Sequence, residues 1–128
     1  MAKEKPRPSE AEFEILQILW HRGALTVRDV HEQLNLKKDS GYTTTLKTMQ
    51  RMLEKKMLLR EDSGKAHLYK AALKEEETQS ALLDRILHSA FGGSASKLVF
   101  RVLGNQKPSA EELKKITELI RKIEKGES

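Results

Sequence analysis

The sequence predicts a mostly α-helical protein with one small β-hairpin, and three observations lead to this fold class. Apolar residues recur at helical spacing in six segments of the 128-residue chain. Two short apolar runs near the middle flank a turn signal, which is typical of a hairpin. There are no cysteines, so neither disulfides nor thiolate metal sites can contribute to the fold.

The first helix is expected from Glu10 to about Arg22. Ser9 and Glu12 have the spacing of a capping box, in which the N-cap hydroxyl and the carboxylate three residues later satisfy each other's backbone N–H groups. Gly23 follows as a suitable C-cap. Thr26 can then cap a short second helix, "VRDVHEQL", and the polar loop "NLKKDSG" leads to a longer third helix.

The third helix opens with threonines in "SGYTTTLKTMQRMLEKK", although threonine has low helix propensity. On a helical period, Leu46, Met49 and Leu53 form an apolar stripe. A second stripe offers the hydroxyls and cations that contact phosphates and base edges: Thr44, Lys47, Thr48, Arg51 and Lys55. From this stretch alone, a solvated helix face is as good an interpretation as nucleic-acid recognition.

The segment "MLLREDSGKAHLYKA" predicts a hairpin whose tip is Ser63, Gly64 and Lys65. A helix, a short helix, a loop and a longer basic helix are the order of a helix-turn-helix, and an added hairpin makes it a winged helix. Arg60, Lys65, His67 and Lys70 are expected to give this wing a positive charge. Residues 1–72 are therefore predicted to form an N-terminal winged helix-turn-helix that binds DNA.

Residues 73–128 are predicted to form a C-terminal three-helix dimerisation region, because their apolar faces lack the bulk of an independent core. Two chains would pool these faces in a homodimer. The heptad-like stripe of the last helix has the alternative of packing within one chain. The residues assigned to the dimer are Leu82, Leu83, Ile86, Leu87, Leu98, Val99, Val102, Leu103, Leu113, Ile116, Ile120 and Ile123.

Composition narrows the function classes. The formal net charge of +5 favours an anionic partner, and residues 1–71 carry 14 Lys and Arg against 10 Asp and Glu. No signal-peptide-like or membrane-spanning apolar run is present, so a cytoplasmic protein without membrane insertion is expected. No catalytic constellation argues for an enzyme, and no cofactor is expected. The four histidines are scattered along the chain, so no metal site is expected; His21, His31 and His88 are expected on helix surfaces.

Four strings and the order of elements resemble the penicillinase-repressor family of bacterial transcriptional regulators, of the BlaI/MecI/CopY type. The strings are "PSEAEFEILQILW", "LTVRDVHEQL", "GYTTTLKTMQRMLEKKMLLR" and "GKAHLYKAAL", and the similarity continues into "GGSASKLVFRVLG". The resemblance implies a dimeric winged-helix repressor that binds a palindromic operator in double-stranded DNA. It also implies, as a partner, a membrane sensor protease that leads to cleavage and induction.

Carried over to this chain, the resemblance places one set of residues at the major groove or its flanking phosphates: Tyr42, Thr43, Thr44, Lys47, Thr48 and Arg51. Thr26, Arg28, Lys55 and Lys56 would contact the backbone, and Lys65 and His67 would act from the wing. Two alternatives stay open: Tyr42 can pack on the second helix, and Thr44 and Thr48 can hydrogen-bond carbonyls of their own helix.

Three departures from the family pattern are visible. Met57 stands where glycine is frequent, so the turn into the wing lacks its usual left-handed residue. The cleaved Asn–Phe pair of well-known members corresponds to Arg101 and Val102, and the cysteine cluster of copper-responsive members is absent. A rival of another class is a winged-helix protein–protein interaction module, whose basic face would bind an acidic partner.

Overall fold

The computed structural model describes residues 7–126 of the chain. Within this range it contains six helices and one two-stranded antiparallel hairpin, which confirms the predicted fold class. The elements are α1 (Glu10–Arg22), α2 (Val27–Asn35), α3 (Tyr42–Glu54), β1 (Leu58–Ser63), β2 (Ala66–Ala71), α4 (Glu75–Phe91), α5 (Ala95–Asn105) and α6 (Ala110–Glu124).

Local capping explains where α1 and α2 begin. The Ser9 hydroxyl accepts from the Glu12 N–H, and the Glu12 carboxylate accepts from the Ser9 N–H at 2.8 Å, so the predicted capping box is present. Thr26 caps α2 in the same way with Asp29 as its partner. Each box satisfies backbone donors that the first helical turn would otherwise leave without acceptors.

The core of the winged helix lies between the three helices and the hairpin. Its fully buried side chains include Leu16, Val30, Met49 and Met52, and Met57 and Leu58 close it from the wing side. In α3, Thr45 and Met52 are buried with Met49, whereas the predicted apolar residues Leu46 and Leu53 are only half-buried. The buried stripe is therefore rotated around the helix axis relative to the predicted one, by somewhat less than the angle between adjacent residues.

The hairpin pairs Leu58 with Ala71 at its base and Ser63 with Ala66 at its end, so Gly64 and Lys65 form a two-residue turn. Gly64 has φ +63°, a conformation that a residue without Cβ adopts at little cost. An isolated bridge between Leu25 and Tyr69 attaches β2 to the segment between α1 and α2. The Trp20 indole N–H also donates to the Leu73 carbonyl at 2.9 Å, which ties α1 to the segment after the hairpin.

The turn from α3 into the wing does contain a left-handed residue, but it is Lys56, with φ +65°. The Met57 N–H donates to the Met52 carbonyl at 2.8 Å and the Lys56 N–H to the Leu53 carbonyl at 3.1 Å, the bond pair of a Schellman motif. Met57 itself is 1% exposed and belongs to the core. The turn expected to be lost at Met57 is thus retained one residue earlier, on a lysine.

The chain divides into two compact units, one reaching to Leu82 and the other starting at Leu83, so their boundary falls inside α4. The first turns of α4 belong to the winged-helix unit, in which Thr78 is buried. This structural boundary lies ten residues beyond the one expected after residue 72. In the second unit, α5 and α6 are fully described, and neither of them buries a single side chain.

Candidate nucleic-acid interface

The outward face of α3 carries the side chains expected to contact DNA. Thr43, Thr44, Lys47 and Arg51 are exposed, and the opposite side of the helix is held in the core by Met49 and Met52. Within residues 7–126, neither Lys47 nor Arg51 forms an ion pair or a side-chain hydrogen bond. Both cations are therefore free to bind phosphate or a base edge.

The threonine hydroxyls of this face differ in their partners. Thr48 is half-buried, and its hydroxyl donates to the Thr44 carbonyl at 2.8 Å, so the alternative of a bond to its own helix holds for Thr48. The oxygen of Thr48 can still accept, and its methyl group remains available for contact with a thymine methyl. In the described part of the chain, the Thr44 hydroxyl has no hydrogen-bond partner.

Tyr42 packs against α2 and also stays accessible at the surface. Its ring meets His31 of α2 edge to face, with centroids 5.5 Å apart, and the Arg28 guanidinium lies 6.0 Å from the ring centroid. Tyr42 is nevertheless 42% exposed, so packing on α2 does not remove it from the surface. Thr26 is half-buried and its hydroxyl caps α2 by accepting from the Asp29 N–H at 3.1 Å.

A polar network connects α2 to the start of α3 and was not predicted. His31, expected on a helix surface, is half-buried and lies within hydrogen-bond distance of Thr45 and Asn35, and Asn35 accepts from the Ser40 N–H. The sequence contained one signal for it, since His31 and Asn35 are four residues apart on one helix. That signal did not identify Thr45 as their neighbour.

Lys55 lies at the end of α3 and is committed to a partner in its own chain. Its Nζ is 3.3 Å from Oε2 of Glu12, whose side chain is 8% exposed. Burial by itself would raise the pKa of Glu12, but hydrogen bonds from the Ser9 N–H and from Lys55 outweigh burial and the pKa is lowered. The carboxylate is thus ionised and anchors Lys55, so a phosphate contact by Lys55 would compete with this ion pair.

The wing is less positive than its cations suggest. His67 Nδ1 lies 2.7 Å from Asp62 Oδ1, and Arg60 Nε lies 3.7 Å from the same oxygen. Lys70 pairs with Glu61 at 2.7 Å. Of the four basic residues expected to make the wing positive, three lie beside a carboxylate of the wing itself. Lys65, at the tip, is the one wing cation that lacks an ion pair in the described structure.

The residues assigned to dimerisation lie on helices α4 to α6, and none of their apolar side chains is fully buried. Leu83 is 53%, Ile120 50% and Ile123 64% exposed. The remaining nine assigned residues are exposed or half-buried, and Phe100 and Leu119 add exposed apolar surface that the prediction missed. Arg101 and Val102, the pair at the family's cleavage position, are both exposed on α5.

Residues 7–126 contain no group of three His, Asp or Glu side chains placed to hold a metal ion. The helices of this range are too short or too polar for any of them to span a lipid bilayer.

The family model of the penicillinase repressors matches residues 8–122. The chain belongs to the penicillinase repressor family. Relatives of this family member include the penicillinase repressor of Staphylococcus aureus, 20% identical over 98% of this chain and 99% of that protein. The Mycobacterium tuberculosis transcriptional regulator BlaI is 26% identical over 94% of this chain and 87% of the relative.

Solved structures of repressor domains share the fold of this penicillinase repressor family member. The solution structure of the DNA-binding domain of the repressor BlaI is 21% identical, covers 59% of this chain and 93% of that chain, and has a TM-score of 0.52. The Bacillus licheniformis BlaI monomeric form, solved in complex with the blaP half-operator, gives the same values. The resemblance to this family and the winged-helix prediction are thereby confirmed, whereas the roles of individual residues stay predictions.

Proposed function

We propose that this protein is a transcriptional repressor that binds a palindromic operator in double-stranded DNA as a homodimer. The observation that carries the proposal is the outward face of α3, where Lys47 and Arg51 are exposed and unpaired beside the exposed Thr44 hydroxyl. A helix held in the core on one side and presenting donors on the other fits the major groove. Membership of a family of repressors supports the same assignment.

The contacts divide into two classes. Thr44, Lys47, Thr48 and Arg51 read bases, and Arg51 is the side chain that can bind guanine in a bidentate manner, worth about 1–3 kcal/mol of discrimination. The other residues contact the sugar-phosphate backbone and position the protein: Thr26, Arg28, Tyr42, Thr43, Lys55, Lys56, Lys65 and His67. Of the wing residues, Lys65 is the stronger contact because Asp62 already engages His67.

Dimerisation uses residues 73–128, because the apolar side chains of α4, α5 and α6 are exposed or only half-buried within residues 7–126. Two recognition helices related by a two-fold axis would enter major grooves about 34–36 Å apart, one helical turn, or a multiple of that spacing. One small winged domain neutralises few phosphates, and a dimer doubles that number. Bound across a promoter, the dimer would exclude RNA polymerase sterically.

The proposal includes induction through a membrane sensor protease. Arg101 and Val102 are exposed on α5, as a cleavable pair must be, but they differ chemically from the Asn–Phe pair of the family resemblance. Cleavage within α5 would divide the apolar surface assigned to the dimer, and operator affinity would fall as a consequence.

The test is selection of retained fragments from random and genomic duplexes, with the mass of the free protein measured in solution. A dimer that enriches a palindrome supports the proposal. Lys47→Glu and Arg51→Glu should each abolish specific binding, whereas Lys74→Glu, the same charge change outside the α3 face and the wing, should retain it. Binding that ignores salt, or no binding, would instead favour the interaction-module function with an acidic protein partner.

A further inference from the structure

The link between α2 and α3 is a chain of hydrogen bonds whose directions can be assigned. The Ser40 backbone N–H can only donate, and it lies 3.1 Å from Asn35 Oδ1, so the oxygen of that amide is identified. The amide nitrogen must then be the atom 3.0 Å from His31 Nε2. Because an amide nitrogen donates and does not accept, His31 Nε2 accepts and carries no proton.

The rest of the chain follows from this assignment. A neutral imidazole with an unprotonated Nε2 has its proton on Nδ1, which lies 3.2 Å from Thr45 Oγ1 and donates to it. The Thr45 hydroxyl then donates to the Gly41 carbonyl at 3.5 Å. Each group therefore donates to the next: the Ser40 N–H to Asn35, Asn35 to His31, His31 to Thr45, and Thr45 to the Gly41 carbonyl.

These residues lie where the orientation of α3 is decided. Gly41 is the N-cap of α3 and makes no side-chain cap bond, so α3 lacks the hydroxyl or carboxylate that caps α1 and α2. Thr45 is 2% exposed, one turn into α3, and Ser40 directly precedes the N-cap. The His31 ring also contacts Tyr42, the first residue of α3, edge to face. The network therefore holds both sides of the N-cap against α2.

We infer that His31 is a positioning residue for DNA recognition: as a neutral ring protonated on Nδ1, it sets the start of α3 through Thr45 and Asn35. It does not contact DNA. His31 determines the position of Thr44 and Lys47 relative to the bases, because both lie within two residues of Thr45 in α3. This inference rests on the proposed function, and it predicts a loss of base discrimination while phosphate binding remains.

The first test needs no DNA. Ring ¹⁵N chemical shifts of the full-length protein at neutral pH distinguish the two histidine tautomers, and His31 should be protonated on Nδ1 and not on Nε2. His21, exposed on α1, provides an internal reference for an unrestrained ring. A His31 ring protonated on Nε2 would overturn the network whatever the protein binds.

The second test compares affinity for the selected operator with affinity for an unrelated duplex of equal length. Thr45→Val keeps the shape of the side chain and removes the hydroxyl. His31→Gln can place its amide oxygen where Nε2 accepts from Asn35, and it leaves no ring nitrogen at the position from which Nδ1 donates to Thr45. Each variant should bind the operator about tenfold more weakly, which is the scale of one misread base pair. Its affinity for the unrelated duplex should change by less than about twofold. Urea unfolding, measured in parallel, shows that the variants are folded at the assay temperature.

Matched controls make the outcomes separable. Thr117→Val removes a hydroxyl that donates to its own helix on α6, and His21→Gln makes the same exchange on exposed α1; both should retain the wild-type ratio of the two affinities. Equal losses on the two duplexes, or no loss, would overturn the inference while the wild-type protein still selects its operator. A wild-type protein that does not discriminate between duplexes would overturn the proposed function, and the positioning role with it.

Discussion

Glu12 is the residue whose removal should show most clearly how α1 and the recognition helix support each other. Its carboxylate accepts from the Ser9 N–H at 2.8 Å and from Lys55 at 3.3 Å, and the residue is 6% exposed. Replacement by alanine removes both interactions and leaves the Ser9 hydroxyl still able to accept from the backbone N–H of residue 12. The perturbation therefore removes the carboxylate and one methylene and leaves the hydroxyl half of the capping box in place.

The magnitude follows from the environment of each bond. A hydrogen bond between a backbone N–H and a buried carboxylate contributes about 1.5–3 kcal/mol. The contact with Lys55 adds less, up to about 1 kcal/mol, because the lysine side chain is 54% exposed and solvent screens it. We expect Glu12→Ala to lower the free energy of unfolding by about 2–3 kcal/mol at neutral pH, the sum of these contributions with allowance for overlap.

The stabilisation by Glu12 should also depend on pH in a defined direction. The pKa of Glu12 in the folded protein is lower than its ordinary value of 4.5, so the ionised carboxylate favours folding above that pH. The stability is lost as pH falls below 4.5 and through the folded pKa, where the carboxyl group becomes protonated in both states. The difference between wild type and Glu12→Gln should be constant above about pH 6 and shrink toward pH 3.

Urea unfolding monitored by circular dichroism at several pH values measures this difference directly. Glu10→Gln is the matched control, because Glu10 is an exposed glutamate in the same first turn of α1. A difference for Glu12 that stays unchanged down to pH 3, or a Glu10 variant with the same profile, would refute the assignment of the stabilisation to the buried carboxylate.

Three further predictions concern the wing, its entrance and the second unit. Lys56→Gly should raise the free energy of unfolding by about 1 kcal/mol, because glycine adopts the left-handed conformation without strain. The same change should lower operator affinity, because it removes a cation. Urea unfolding measures the first effect and a DNA titration the second, and a destabilised variant would contradict the first. Lys65→Ala should reduce the slope of log affinity against log salt by about 1, and Lys70→Ala, which removes a cation already paired with Glu61, should change it less. Ile120→Asp should shift the protein from dimer to monomer in sedimentation experiments, because it places a charge in the proposed shared apolar surface; an unchanged mass would count against α6 as part of the dimer contact.

Much of the local structure could be predicted because its causes are local. Ser9 with Glu12, and Thr26 before "VRDVHEQL", indicated the starts of α1 and α2, since capping bonds connect residues only three apart. Gly64 in the turn signal similarly indicated the hairpin. The turn before the wing was expected to lack a left-handed residue, and this was wrong because Lys56 adopts φ +65°. That conformation is unusual for a lysine, and only the surrounding bonds of α3 and Met57 require it.

The exposed face of α3 was predicted in outline but not in detail. The helical period separated a polar stripe from an apolar one, and the exposed Thr44, Lys47 and Arg51 agree with it. The period could not show that Thr45 is buried, because adjacent residues differ by about 100° around the helix and the neighbours of α3 decide where the buried sector ends. The ion pairs of the wing were not predicted for a related reason. Cross-strand pairing places Asp62 opposite His67, and the helical and strand periods of single segments do not show this register.

The sequence by itself determined the order and type of the elements, the basic character of the N-terminal half and the resemblance to penicillinase repressors, because these depend on near neighbours and on composition. Only the tertiary structure decided which polar groups are committed to partners in the same chain. Glu12 and Lys55 are 43 residues apart and His31 and Thr45 are 14 apart, distances over which no period or motif carries a signal. Packing of α1, α2 and α3 around one core brings these groups together, and it leaves Lys47 and Arg51 exposed.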